Sequence, residues 1–147
     1  MVKMREVCML IGDGTSSASP KRGRNQEDDV VLWSDASDSA VALPDSRARW
    51  EAIWSRREQI VEIAHSHPVG PQAFSHEDDT TMAALVTALG RPLTFSVVAP
   101  RAMVRCLKKP NEDYEVSLVE REPWWASLLR LASSMTSNNA PKTPQEE

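Results

Sequence analysis

No stretch of this sequence is apolar for the roughly twenty residues that a membrane-spanning helix needs. The apolar start, MVKMREVCMLIGDG, is interrupted by charge too early for a secretory signal. Cysteine is scarce: Cys8 and Cys106 are too few for a disulfide framework, and both are expected as reduced thiols in a cytoplasmic protein. Positive charge is not in excess, because the formal net charge is -4, so a global basic footprint for nucleic acid is missing. The one basic cluster, Lys21-Arg22-Gly23-Arg24, is followed at once by Glu27-Asp28-Asp29. Such mixed runs are expected as solvated loop. No internal repeat is found. These absences argue against a membrane protein, a secreted disulfide scaffold and a nucleic-acid binder.

What is present is a chain of 147 residues with ordinary globular composition, enough for one domain with its own core. The continuous apolar run over 7–11 predicts a strand buried on both faces, ended by Gly12-Asp13-Gly14. Residues 15–29 are rich in Ser and charge and predict a loop, with a second strand over 29–33. A helix is expected from Pro44, with Trp50, Ile53 and Trp54 on its packing face. Over 59–67 the period changes to that of a strand. Val61, Ile63, His65 and His67 fall on one side, and Ile60, Glu62 and Ala64 on the other. Ser75 opens the next helix, whose apolar stripe is Met82, Leu85, Val86 and Leu89 and whose end is Gly90 with Pro92. Strands are expected over 93–99, 103–107 and 114–119, and a last helix carries Trp125, Leu128, Leu129 and Ala132. Trp124 and Trp125 are adjacent and face different ways on a helix, so one of them is expected at the surface. The order predicts an α/β domain over 1–134, a mixed β-sheet flanked by helices, and a disordered tail over 135–147.

The chemistry is concentrated in Ala64-His-Ser-His-Pro-Val-Gly-Pro-Gln-Ala-Phe-Ser-His-Glu-Asp78. Histidines at i and i+2 on a strand point the same way, so His65 and His67 can reach one metal ion together. Asp78 lies in the first turn of the following helix, from where its carboxylate can close the site. Two imidazoles and a carboxylate leave a fourth position for water, the catalytic rather than the structural arrangement of zinc. Spacing favours Asp78 over Asp79 as the ligand, and His76 is expected to face solvent. Ser-x-x-Asp is also a capping-box pattern, and Ser75 as N-cap would hold Asp78 rigid. Cys8 shares a strand face with Glu6 and is expected as a buried, inert thiol.

This stretch resembles the JAMM motif of MPN-domain zinc metallopeptidases: a His-x-His-Pro element, then Ser and Asp at fixed offsets, with a Glu far upstream. His65, His67, Pro68, Ser75 and Asp78 match that spacing, and Glu6-Val-Cys-Met-Leu-Ile-Gly12 has the form of the upstream Glu strand. The resemblance covers the chain from Glu6 to about Leu107. It implies a compact MPN, cytidine-deaminase-like domain in which His65, His67 and Asp78 bind Zn2+. It also implies that Glu6 shuttles the proton of the attacking water and that Ser75 donates to the developing oxyanion. Family members usually carry a strand and a helix before the catalytic Glu, whereas five residues precede Glu6 here.

The activity implied is an isopeptidase or peptidase that cuts after the C-terminal glycine of a ubiquitin-like protein. The partners implied are that substrate and the activating and conjugating enzymes of its system. By the same analogy, compact bacterial members accompany conjugation or sulfur-carrier systems, including antiviral defence operons. Two other functions are weighed against it. A scaffold MPN domain lacks the metal ligands, which this chain keeps. A RadC-like DNA-associated protein carries Asn between the histidines and Ser-Gly after the proline, whereas this chain has Ser66 and Val69-Gly70.

Overall fold

The computed structural model describes residues 3–14 and 24–135. The chain order is β1 (Val7–Asp13), a short 3-10 turn (Gln26–Asp28), β2 (Asp29–Ala36), α1 (Arg47–Ser55), β3 (Ile60–Ser66), α2 (His76–Leu89), β4 (Leu93–Val98), β5 (Met103–Lys108), β6 (Ser117–Leu118) and α3 (Trp124–Ala132). The strands form one mixed sheet in the order β2-β1-β3-β4-β5-β6. Only the β3–β4 pair is parallel, and α2 makes the crossover between those two strands. The other neighbours are antiparallel. The expected α/β architecture, a mixed sheet flanked by helices, is what the chain adopts.

Two apolar clusters lie on the two faces of the sheet. On one face Cys8, Leu10, Ile63 and Phe95 meet Ile53 of α1 and Met82, Leu85 and Val86 of α2. On the other, Val7, Met9, Ile11 and Ala64 meet Trp125, Ala126 and Leu129 of α3. The run over 7–11 is therefore continuous for a physical reason: β1 is an inner strand covered on both sides. The crossover helix α2 packs where it does because its stripe recurs at helical spacing. Its ends are set by Ser75 as N-cap and by Gly90, which closes it in the left-handed region at φ 71°.

Several local expectations are corrected. Ile60 and Val61 exchange sides: Ile60 belongs to the α1/α2 face, and Val61 packs against the α3 face. The cause is a register shift, since Ile11 pairs with Glu62 but Gly12 with Ile60, leaving Val61 as an extra residue. Helix α1 begins after Ser46, whose hydroxyl caps it, rather than at Pro44. Trp54 is exposed, with the Arg57 guanidinium 4.0 Å above its ring. The strand expected over 114–119 shrinks to Ser117–Leu118. Tyr114 leaves the ladder because its ring packs edge-on against Phe74 and its hydroxyl donates to Asp79. Leu128 turns outward on α3, while of the tryptophan pair Trp125 is buried and Trp124 exposed. Met135, placed in the expected tail, is fully buried in the α3 cluster, and residues 136–147 lie outside the described residues.

The expected solvated loop over 15–29 also ends differently. Residues 15–23 lie outside the described residues, but Arg24 bonds Asp29 through two nitrogens at 3.1 and 2.7 Å and reaches Glu62 at 2.8 Å. Glu62 is fully buried and receives a second, two-pronged guanidinium from Arg105, at 3.0 Å on each oxygen. Asp29 also accepts from the Trp125 indole at 2.8 Å. Two buried carboxylates are thus matched by two arginines, which pins the start of β2 to the sheet. Among the described residues no helix is long and apolar enough to cross a membrane.

Candidate metal centre

The C-terminal end of β3 carries His65, and the next residue but one, His67, continues the strand by donating its backbone N–H to Val98 at 3.0 Å. Their Nε2 atoms stand 3.0 Å apart. Asp78, on the first turn of α2, brings Oδ1 within 3.2 Å of His65 Nε2 and Oδ2 within 3.5 Å of His67 Nε2. One donor atom from each of the three lies within 4.8 Å of the others, so the group can hold a metal ion. His67 is buried, and His65 and Asp78 are half-buried.

Each ligand candidate is oriented by a neighbour. His67 Nδ1 lies 2.8 Å from the Pro71 carbonyl. A carbonyl only accepts, so Nδ1 carries the proton; in the neutral ring Nε2 keeps its lone pair for the site, and in the protonated ring it donates to Asp78. Ser75 and Asp78 form a reciprocal capping box: Asp78 N–H donates to Ser75 Oγ at 3.0 Å, and Ser75 N–H to Asp78 Oδ2 at 2.7 Å. The Ser75 hydroxyl accepts in this box and therefore keeps its own proton to donate elsewhere. Asp79 is turned away, held by the Tyr114 hydroxyl, and His76 is exposed. Phe74 tilts against the His65 ring, 6.5 Å between centroids, and so links the ligand strand to the Tyr114 brace.

Glu6 immediately precedes β1 and lines the same cavity as the three candidates. Its backbone is tied on both sides, its N–H to Ser39 at 2.8 Å and its carbonyl to the N–H of Ser37 at 2.9 Å. Burial raises its carboxyl above the ordinary glutamate value against the opposing pull of the nearby His65 and His67. Asp78 has the opposite balance. Burial would raise it, but hydrogen bonds from His65, His67 and the Ser75 N–H hold it far below the usual carboxylate range. For His67, burial works against the charged form, yet the bonds to Asp78 and Pro71 prevail and raise its pKa. Cys8 is buried, and desolvation pushes its thiol up to about 12, which leaves no appreciable thiolate at neutral pH.

The structure thus brings together all five residues that the sequence singled out. Three supporting residues escaped the sequence reading. Ser66, between the histidines, points to the opposite face, accepts from Val7 N–H at 2.9 Å and from Ser133 Oγ at 2.6 Å, and so locks the Glu6 strand beside the histidine strand. Its signal was the strand alternation itself. Pro71 supplies a backbone carbonyl, which no side-chain pattern reveals. Tyr114 acts across 35 residues, beyond the reach of local periodicity.

A six-stranded mixed sheet with helices on both faces, and a His-His-Asp group at the end of an inner strand, define a JAB/MPN-type domain with a candidate metal site. The chain belongs to the family of prokaryotic homologs of the JAB domain, whose model matches residues 4–118. That span contains Glu6 and the whole segment from His65 to Asp78. No curated protein matches the chain.

Proposed function

We propose that this protein is a zinc-dependent isopeptidase or peptidase that hydrolyses the bond after the C-terminal glycine of a ubiquitin-like protein. The observation that carries the metal assignment is the spacing of the three donors. Two ligands on a tetrahedral zinc, each about 2.0–2.1 Å from it, stand about 3.3 Å apart. The two imidazole Nε2 atoms stand 3.0 Å apart, one carboxylate oxygen of Asp78 lies 3.2 Å from His65 and the other 3.5 Å from His67, and one donor atom from each residue lies within 4.8 Å of the others, close enough to converge on one ion. Two imidazoles with one carboxylate, and none of the described cysteines among them, fit a catalytic site better than a structural one. Bound there, zinc would supply a water acidic enough to act as a nucleophile near neutral pH, and a Lewis acid for the scissile carbonyl.

The chain's own residues complete the chemistry. Glu6, with its raised pKa and its position on the same cavity, takes the proton of the attacking water and returns it to the leaving amine. Ser75, whose hydroxyl proton is not consumed by the capping box, donates to the oxygen that gains charge in the transition state. Membership of the prokaryotic JAB family supports this assignment, and the ubiquitin-like substrate, with its activating and conjugating enzymes as partners, follows from the resemblance to JAMM metallopeptidases.

The experiment is hydrolysis of a ubiquitin-like protein carrying a C-terminal extension or a lysine-linked conjugate. Turnover is expected, lost with a chelator and restored by zinc, and a thiol-reactive ubiquitin-like probe is expected to leave Cys8 unlabelled. Turnover that survives complete metal removal, or an adduct at Cys8, would refute the mechanism. An intact metal site with no cleavage of any such conjugate would remove the substrate class and leave the metal chemistry standing.

A further inference from the structure

A cavity of about 430 Å3 runs from the His-His-Asp group into the space between α1, α2 and the sheet. Its floor is apolar and consists of Trp50, Ile53, Met82, Leu85 and Phe95, joined by Leu43 from the segment before α1. These are elements of the α1/α2 core cluster or side chains packed against it, so the floor is held by regular secondary structure rather than by loops. The mouth differs in character. Asp45 and Glu77 line it, both are exposed, and neither carboxylate has a hydrogen-bond or ion-pair partner among the described residues. Among the described residues on the lining the one arginine or lysine is Arg49, and it is already engaged by Asp35, at 3.2 and 3.0 Å, and by the Pro44 carbonyl at 3.0 Å.

An open cavity of this kind must hold water against carbon, which gives up free energy that an apolar ligand would recover. Its size is not limiting, since an apolar cavity of about 150 Å3 is enough to hold benzene. The polar centre and the apolar floor are continuous, so one molecule can engage both. We propose that the cavity is a specificity pocket that takes a bulky apolar side chain, Leu- or Phe-sized, from a substrate segment whose neighbouring residue is basic. The apolar side chain packs on the floor and Leu43, and the basic neighbour meets Asp45 and Glu77 at the mouth. This assignment rests on the metallopeptidase function proposed above for its link to catalysis, but the cavity itself does not depend on the metal.

The test uses the zinc-loaded full-length protein and short peptide hydroxamates, which anchor to a metal and differ only in one side chain. Replacing Ala by Leu or Phe is expected to tighten binding about tenfold to a hundredfold. A glutamate in place of a flanking arginine is expected to weaken it, by less at high salt. The gradient in side-chain size should collapse in Leu85→Phe and in Leu43→Trp, with zinc content unchanged. Leu43 lies outside the regular elements, so that second variant remains informative if the first does not fold. A parallel arm adds toluene to chelator-stripped protein and follows the methyl signals of Ile53, Met82 and Leu85. Shifts confined to these methyls support the pocket whether or not zinc binds. Hydroxamates that bind equally whatever their side chain would overturn the pocket and leave the metal site intact. Failure to bind zinc would overturn the metallopeptidase function instead, and the pocket then stands or falls on the toluene shifts alone.

Discussion

His67 is held by Pro71: the imidazole Nδ1–H donates to that carbonyl at 2.8 Å, which fixes the ring so that Nε2 faces His65 Nε2 at 3.0 Å. The turn after the strand thus sets the tautomer of a candidate ligand four residues earlier in the chain. The Ser75–Asp78 capping box does the same for the carboxylate. The three donors are therefore oriented by their own connecting segment before any metal arrives, the kind of preorganisation a metal site needs.

Metal content follows from that arrangement. Purified protein is expected to carry about one zinc per chain, and His65→Ala, His67→Ala and Asp78→Ala are each expected to lose most of it. Elemental analysis after dialysis measures this directly. Equal zinc in the wild type and in the His65→Ala/His67→Ala double variant would remove these residues from the ligand set.

Acid should strip the metal earlier than an ordinary histidine would predict. Zinc needs the neutral imidazole, and the pKa of His67 in the metal-free protein is raised, so protons compete with zinc from a higher pH. The same shift has a defined sign for stability without metal. Between 6.5 and the raised folded value the native state binds more protons, so the contribution of His67 is full below 6.5 and is lost as pH rises through the folded value. Asp78 is depressed, so its contribution is present above 3.8 and is lost only as pH falls towards its folded value. Chelator-stripped protein should therefore gain most from this pair between about pH 4 and 6.5. Melting curves against pH, for the wild type and His67→Gln, isolate the effect; parallel curves would contradict it.

Glu6→Gln is expected to retain zinc and to lose turnover by about a hundred- to ten-thousandfold. It should not melt below the wild type when metal-free. Burial raises the Glu6 pKa, so above 4.5 its ionised form weighs against the native state, and the neutral amide removes that penalty. Turnover and melting temperature measured on one preparation decide both points. An unchanged rate would place the catalytic carboxylate elsewhere.

The other buried glutamate should behave in the opposite way. Glu62 is fully buried between Arg24 and Arg105, and its removal breaks both ion pairs at once. Glu62→Ala is expected to cost about 3 kcal/mol, the lower end for breaking a buried pair, because each arginine side chain is about a quarter exposed and can find water. Urea denaturation provides the value. A loss below about 1 kcal/mol would mean that the network adds little beyond an exposed ion pair.

The metal-site candidates were legible because their information is local. An i, i+2 pair at a strand end, a Pro-Gly turn and a capping box lie within residues 64–78, and period-2 and helical geometry alone bring them together. The inner strand over 7–11 was legible for a similar reason, since burial on both faces leaves a continuous apolar run. The order of the strands, the side on which Val61 falls and the placement of Arg24 were not legible. Each depends on a partner far along the chain. The extra residue at Val61 exists only in register with Ile11 and Gly12, Arg24 leaves solvent only because Glu62 is buried beneath it, and Tyr114 abandons its strand only because Asp79 and Phe74 stand within reach. Sequence alone therefore determined which side chains could form the centre. Tertiary packing decided that Glu6 would be carried to it, through the β1–β3 pairing and the Ser66–Val7 bond, and that an apolar cavity would open beside it. Hydrogen-bond registers and cavities are properties of chain segments that meet in space, and local periodicity carries no record of them.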